Sequence, residues 1–413
     1  MTRALPLRLY GLATAILEPL VPMVLRGRAR RGKEDPARLG ERLGRTTVAR
    51  PQGPLVWLHG GSVGEATSLL PLVAVLRARR PDLQVLVTSG TTTAAAMLAQ
   101  RLPKCVIHQY APVDTPGAVR RFLGHWRPGL AVFVESELWP NLILTAKAQG
   151  VRLALVSARI TAASARGWAR WPRSAQALVS AFDLILPQDG ASADRLRTLG
   201  GTPGPHLNLK QVGEPLPADD AEMSRLRAAI AGRKVVLAAS THPGEEALIA
   251  NAVRQAAPDA LLIIAPRHPE RGAEVAEMLG GSLRSRGEAV AARYVADTLG
   301  ELGLFMRLAD IVVMGGSFVP AIGGHNPMEP ARIGRPIITG RHVFNAAELY
   351  DALFAEAAAI RADDGSALSR HIRGLLDNPV IARRMGQAAL AFANRQGAAL
   401  EHAMTLLEPL LPA

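Results

Sequence analysis

Leu55-Val-Trp-Leu-His59, followed at once by Gly60-Gly-Ser-Val-Gly-Glu65, is the stretch that sets the architecture. A five-residue apolar run bounded by glycines has the length of a buried strand, and the pattern after it turns helical through Arg80. Working outward, the same unit recurs. Gln84–Thr88 reads as a strand and Thr91–Arg101 as a helix; Gly129–Val134, Arg152–Ser157 and Leu184–Leu186 read as further strands. Strands alternating with helices predict a parallel sheet covered on both faces.

The stretch 201–222 is rich in Pro and Gly, lacks periodicity and reads as a linker. Beyond it the alternation restarts. Val235–Ala239, Leu261–Ala265, Ile311–Met314 and Pro336–Thr339 are strand candidates, a helix begins near Gly244, and helices close the chain from about Asn345 to Leu411. The expectation is an α/β protein with two Rossmann-like domains facing a cleft, the arrangement called GT-B. Its parts are a basic segment at 1–50, a first Rossmann-like domain at 51–210 for the acceptor, and a second at 211–413 for a nucleotide.

Composition agrees with two domains: 413 residues, 48% of them hydrophobic and 20% charged, allow two cores and exclude a disordered chain. The net charge is +13. Residues 1–50 carry eleven Arg or Lys against four acids, a surplus of seven. Such a field implies an anionic partner. With 4% aromatic residues and no basic-aromatic stacking motif, a nucleic acid is not expected to be that partner. The single cysteine, Cys105, excludes an internal disulfide and reads as a structural residue.

Near the N-terminus, Leu5, Leu9, Leu12, Ile16, Leu20 and Val24 form a helical apolar stripe that Glu18, Pro19 and Pro22 interrupt. The segment is marginal for a spanning helix and poor as a cleaved signal. It is expected to be a membrane-associating helix, either crossing once or lying in the interface, with an ordinary buried helix as the alternative. The arginines at 26–31 then keep the rest of the chain on the cytoplasmic side.

In open parallel sheets, ligands bind at the carboxyl ends of strands, and the loops there are informative. After the first strand, Ser62-x-x-Glu65 has the spacing of a helix capping box, and spacing alone favours that role for Glu65. Glu135-Ser-Glu137-Leu-Trp-Pro-Asn141 puts two carboxylates at another strand end, suited to sugar hydroxyls or to capping a helix. In the second half, Pro266-Arg267-His268 offers a guanidinium for a phosphate or carboxylate. Gly315-Gly316-Ser317 and Gly323-Gly-His-Asn326-Pro327-Met328-Glu329 offer a helix start for a phosphate and Glu329 for ribose hydroxyls. Together these outline a nucleotide site. No Walker loop, zinc spacing or nucleophile elbow is present, and no metal or cofactor is expected.

The motif set resembles the Kdo transferases of lipopolysaccharide synthesis (Kdo is 3-deoxy-D-manno-octulosonic acid). The matching stretches are His59–Glu65, Glu135–Asn141, Ser240-Thr-His-Pro-Gly-Glu-Glu246, Pro266–Arg271, Gly315–Ser317 and Gly323–Glu329, in the family's order. The resemblance implies an inverting, metal-independent transfer of Kdo from CMP-Kdo to lipid IVA, a lipid A precursor, at the cytoplasmic side of the inner membrane. It implies that Glu65 is the general base, against the capping reading. It puts CMP at Pro266, Arg267, Leu299, Gly300, Glu301, Asn326, Pro327, Met328 and Glu329. Ser62, Glu135, Glu137, Lys210, His268, Gly316 and Ser317 remain further site candidates. Two departures stand out: the family usually has larger residues at Gly60 and Gly61, and its Gly-Asn-Leu-Lys-Phe-Asp reads here Leu207-Asn-Leu-Lys-Gln-Val212. The rivals are a UDP-sugar enzyme of the same fold, such as an epimerase or a lipid glycosyltransferase, and a non-enzymatic basic protein that binds nucleic acid or membrane.

Overall fold

The computed structural model describes residues 4–413 and divides into two compact units, 1–213 with 396–413, and 214–395. The first holds a six-stranded sheet: β1 Leu55–His59, β2 Gln84–Ser89, β3 Ile107–Tyr110, β4 Leu130–Val134, β5 Arg152–Ala158 and β6 Leu184–Pro187. All pairings are parallel, in the order β3-β2-β1-β4-β5-β6. This is the doubly wound order, whose direction of growth reverses between β1 and β4. The strands are buried on both faces, so successive residues feed two cores. Leu55 and Trp57 join one cluster while Val56 and Leu58 join the other. A strand buried this way reads as a continuous apolar run, which is why β1 is legible.

The second unit repeats the plan with β7 Val235–Thr241, β8 Leu261–Pro266, β9 Ser282–Leu283, β10 Arg293–Val295, β11 Ile311–Met314, β12 Ile337–Thr339 and β13 Ala359–Arg361. These are parallel in the order β13-β12-β11-β7-β8-β10-β9, with the reversal between β7 and β11. Four strands escape the sequence reading: β3, β9, β10 and β13. They are short or half-polar, and β13 lies inside the stretch expected to be wholly helical.

The expected domain limits change at both ends. Residues 34–50 belong to the first unit. The Glu41 carboxylate accepts the Tyr110 N–H at 2.7 Å, Arg42 donates to the Ala111 carbonyl, and Arg50 donates to the Trp126 carbonyl at 2.8 Å. Arg28 and Arg42 both pair with Glu34, a buried carboxylate. Part of the N-terminal positive surplus is therefore structural. At the other end, helix Pro379–Leu407 begins in the second unit and finishes in the first. There Leu400, Ala403, Met404 and Leu407 join the core under β1 and β4, and Arg152 donates to the Pro409 and Leu411 carbonyls. Cys105, expected to be structural, is exposed.

The N-terminal stripe forms helix Leu5–Leu17, a 3₁₀ turn at Glu18–Leu20 where the prolines intervene, and helix Val21–Ala29. Leu7 and Leu25 face inward, whereas Leu5, Leu9, Leu12, Ile16, Leu20 and Val24 are each more than half exposed. The inner side carries polar bonds. Tyr10 donates to Asp114 at 3.0 Å, Asn141 donates to Thr14 at 2.9 Å, and Glu18 accepts from the Gly117 N–H at 2.8 Å and from Arg121 at 2.9 Å. A Cβ on Gly117 would strike the Glu18 carboxylate at 2.0 Å, so glycine permits this approach. The segment is long and apolar enough to cross a membrane by composition. It is nevertheless tied along one side to the α/β unit, with its apolar stripe turned outward.

Candidate active site

Glu65 sits at the switch point of the first sheet, one turn into helix Val63–Arg79, which follows β1. The capping box foreseen from spacing is present: Ser62 Oγ accepts the Glu65 N–H at 3.3 Å, and Glu65 Oε2 accepts the Ser62 N–H at 3.2 Å. The same oxygen also takes the Gly61 N–H at 2.7 Å. Both roles proposed for Glu65 are compatible, because the cap uses only Oε2.

The loop after β4 brings Glu135 and Glu137 to the same place. Glu135 has φ 57° and is buried, paired with Lys210 Nζ at 2.5 Å. A non-glycine residue held at positive φ carries backbone strain, which concentrates at functional sites. Glu137 approaches so closely that a Cβ on Gly61 would lie 2.7 Å from its Oε1 and 3.3 Å from Glu65 Oε2. The absence of a side chain at Gly61, a departure from the family pattern, thus makes room for Glu137 beside Glu65.

A buried chain of hydrogen bonds holds Glu137. Trp57 Nε1 donates to Thr88 Oγ1 at 2.8 Å; Thr88 Oγ1 meets His59 Nδ1 at 2.8 Å; His59 Nε2 meets Glu137 Oε2 at 3.3 Å. Indole N–H can only donate, so the Thr88 hydroxyl keeps its own proton to offer to His59 Nδ1. Trp139 Nε1 also donates to Glu137. Burial alone would raise the Glu137 carboxyl, but His59, Trp139 and Glu65 outweigh it and hold it below the usual carboxylate range. Glu65 goes the other way. Burial first, then the charges of Glu137 and Glu135, push it above that range against the pull of the Ser62 and Gly61 N–H groups. Two neighbouring carboxyls driven apart in this way are the pattern of an acid–base site.

In the second unit the switch-point loops gather cations and imidazoles. His242 follows β7 and Arg267 follows β8; His325 arrives from the loop after β11. His242 and His325 stack with ring centroids 5.0 Å apart and Nε2 atoms 2.8 Å apart, and His268 meets His242 edge-on at 6.0 Å. Burial, then the charges of His242, Arg267 and His268, lower His325 to about 4. Burial also lowers His242. Tyr350, fully buried, donates to the His325 carbonyl at 2.9 Å and fixes the loop.

Several expected ligand contacts prove to be committed elsewhere. The buried Glu245 carboxylate accepts the N–H groups of Gly316, Ser317 and Phe318 at 2.6, 3.0 and 2.8 Å, and that of His242 at 2.9 Å. The Ser317 hydroxyl donates to Met314 and accepts from Gly340. Gly316 and Ser317 therefore build the loop and present no free donors to a phosphate. The helix after Pro327 is only Met328–Ala331, and Asn326 Oδ1 already accepts the Met328 N–H at 3.0 Å. It is too short to act as the expected phosphate-binding helix start, since the dipole needs several aligned peptides. Glu329 lies close enough to Arg332 and Tyr350 to influence both. Leu299 is fully out in solvent, Gly300 has φ 85°, and Glu301 takes Arg284 through both oxygens at 2.6 and 3.0 Å. That loop follows β10, the parallel neighbour of the β8 strand that Arg267 follows. Pro266 ends β8, and Arg267 and His268 are exposed.

Sequence reading did not single out His59, Thr88, His242, His325 or Glu245. His242 and His325 lie inside motifs it quoted, so their signal was available. Thr88 and Glu245 find partners 29 and 71–73 positions away, which no local pattern shows.

Two doubly wound sheets in one chain give this protein the GT-B fold. A glycosyltransferase of Rickettsia africae superposes with a TM-score of 0.57 at 9% identity, over 87% of this chain and 99% of that one. The UDP-GlcNAc 2-epimerase of Neisseria meningitidis superposes with 0.56 at 14% identity, over 86% and 100%. At such identities the likeness speaks for fold alone, and it includes the epimerase rival.

Sequence relatives decide between them. A family model described as 3-deoxy-D-manno-octulosonic-acid transferase (kdotransferase) matches residues 37–212. A 3-deoxy-D-manno-octulosonic acid transferase of Bordetella pertussis is 33% identical over 97% of this chain and 99% of its own. A probable mitochondrial one of Arabidopsis thaliana is 36% identical over 84% and 82%. The chain belongs to the Kdo transferases: it is a glycosyltransferase that acts in lipopolysaccharide and lipid A synthesis.

Proposed function

We propose that this enzyme moves Kdo from CMP-Kdo to lipid IVA, with inversion and without a metal, at the cytoplasmic face of the inner membrane. The observation that carries the reading is Glu65: a carboxyl raised by burial and by Glu137, with its capping bonds on one oxygen and Glu137 as its side-chain partner. The acceptor hydroxyl attacks the anomeric carbon of Kdo and gives its proton to Glu65 as the new C–O bond forms. The bond from that carbon to the phosphate oxygen breaks, and CMP leaves with the electron pair. Arg267 beside His242, His268 and His325 suits the charge that builds on the departing phosphate. The Glu135–Lys210 pair and Glu137 suit sugar hydroxyls and the acidic groups of substrate.

The membrane part of the reading rests on the outward stripe from Leu5 to Val24 and the exposed cations Arg26, Arg30, Arg31 and Lys33 after it. With Tyr10, Thr14 and Glu18 bonded to the α/β unit, the helix suits the plane of the interface better than a crossing. Incubation with CMP-Kdo and lipid IVA, followed by mass analysis of the lipid, tests the function. Added Kdo units support it, and transfer only from a UDP-sugar overturns it.

A further inference from the structure

We infer that the corner between helices Ala162–Ala169 and Pro172–Val179 is a second contact with an anionic bilayer, at the head of a helix that packs on the N-terminal stripe's helix. This rests on the membrane reading of that stripe, and it concerns residues that reading does not use.

The corner carries Arg166, Arg170 and Arg173, all exposed, with Trp171 56% exposed at its tip. The side chains of these three arginines have no hydrogen-bond or ion-pair partner among the described residues. Elsewhere in this unit cations are commonly paired, as in Arg121 with Glu18, Arg28 with Glu34 and Arg79 with Glu401. The acids on the neighbouring helix Gly190–Thr198 do not compensate. Asp194 pairs with Arg197, and Asp189 caps its own helix through the Ser192 N–H.

Its position gives the corner a purpose. Helix Leu5–Leu17 packs on helix Pro172–Val179. Trp168, half-buried, packs against the cluster that contains Leu7. The corner therefore opens a helix that packs on the stripe's own helix, and Arg26, Arg30, Arg31 and Lys33 follow the stripe's last turn. From Leu5 to Val24 a helix spans roughly 30 Å at 1.5 Å per residue. An outward apolar strip of that length, with exposed cations on the helix packed against it and after its last turn, matches a helix lying flat: apolar side chains enter the acyl boundary while arginines meet lipid phosphates. A tryptophan at the corner has the amphipathic ring favoured at headgroup depth. An interaction held only by residues 26–33 would leave the unit free to pivot; a second contact sets the tilt of the whole unit on the bilayer.

The test uses the full-length protein with vesicles of phosphatidylcholine alone or with 30 mol% phosphatidylglycerol added (about one anionic lipid in three, within the range where basic clusters respond). Partitioning is read by co-sedimentation. Arg166→Gln, Arg170→Gln and Arg173→Gln together should weaken binding to the anionic vesicles by about fivefold per cation, roughly 10²-fold in all. They should leave binding to neutral vesicles unchanged. The corresponding triple Arg→Lys variant should bind like the parent, and Trp171→Ala should weaken binding to both vesicle types. Loss of anionic binding in the Lys variant as deep as in the Gln variant overturns the proposal. So does an unchanged Gln variant, whether or not Leu9→Ser, Leu12→Ser and Ile16→Ser release the protein. If those serines release nothing while the Gln variant does lose binding, the stripe reading fails and the corner stands alone.

Discussion

Glu65 Oε2 accepts the backbone N–H of Gly61 at 2.7 Å, and this bond separates the two halves of one carboxylate. The backbone bonds of the cap all fall on one oxygen, while the carboxyl also meets Glu137. Glu65→Gln separates the roles. The amide oxygen can still accept from Gly61 and Ser62, as Gln does in capping boxes, and its NH₂ can face Glu137. Turnover should fall by roughly 10²–10⁴, the usual worth of a general base. Stability should move the opposite way. A carboxyl raised on folding contributes stability that is present below its unfolded pKa and lost as pH rises through its folded one. Glu65 is raised, so at neutral pH it is a cost that Gln removes. Thermal melts at pH 5 and 8 should show the variant gaining on the parent as pH rises. Near-normal turnover would move the base elsewhere, with Glu137 next in line.

His59 and Glu137 should set the pH at which that base works. Glu137 is held ionised by His59 and Trp139, and its charge helps raise Glu65. In Glu137→Gln the acid limb of kcat/KM should move to lower pH, because a neutral neighbour no longer opposes ionisation of Glu65. His59→Asn should reduce activity through a loosened Glu137. An acid limb that stays in place in the Glu137 variant assigns it to another group.

Gly61→Ala should tell how much the close approach of these carboxyls matters. The added Cβ meets the end of a flexible side chain, Glu137 Oε1 at 2.7 Å, rather than backbone. The melting temperature should change by only a few degrees, about what 1 kcal/mol produces in a domain of this size. The acid limb should shift in the same direction as in Glu137→Gln. A large loss of stability with no shift would show that Glu137 does not yield.

How much of this was legible follows from where the partners lie. β1 and β11 are almost wholly apolar, each followed at once by glycines, and read residue for residue. β3, with His108 and Gln109, and the two- and three-residue β9, β10 and β13 are recognised only by the neighbours they pair with. The capping box at Ser62 and Glu65 is local and was visible; the wire from Trp57 through Thr88 to Glu137 joins three strands' ends and was not. The N–H groups of Gly316 and Ser317, both site candidates, are taken by Glu245, which stands 71 or more positions earlier. The N-terminal stripe was read correctly as a periodicity, yet a period does not say whether its apolar face points in or out.

That stripe predicts a partition experiment better than a deletion does. Removing residues 1–30 would also strip Leu7 from the core and Glu18 from helix Pro116–Trp126, destabilising the unit. Leu9→Ser, Leu12→Ser and Ile16→Ser alter only exposed positions. They should release much of the protein from membranes with its melting temperature preserved. Retention on membranes would place the attachment elsewhere.

The last prediction concerns the imidazoles beside Arg267. In the free enzyme His325 titrates at about 4, held down by burial and by His242, Arg267 and His268, and His242 is lowered too. His325 is therefore neutral at pH 6, and its Nε2 lies 2.8 Å from that of His242. A phosphate placed here brings negative charge, which favours the protonated imidazole and raises its pKa. Binding should then take up protons, and affinity for CMP should increase as pH falls from 7 toward 5. Calorimetry at pH 6 in two buffers of different ionisation enthalpy reads the uptake directly. His325→Asn should lessen it. Arg267→Ala should weaken CMP by about 1.5–3 kcal/mol, the usual worth of a hydrogen bond to a charged group, with little change in the melt of the free enzyme because Arg267 is exposed. Affinity that is flat from pH 5 to 7, with no buffer-dependent heat, would take the phosphate away from the histidines. Wild-type affinity in the Arg267 variant would take it away from this loop altogether.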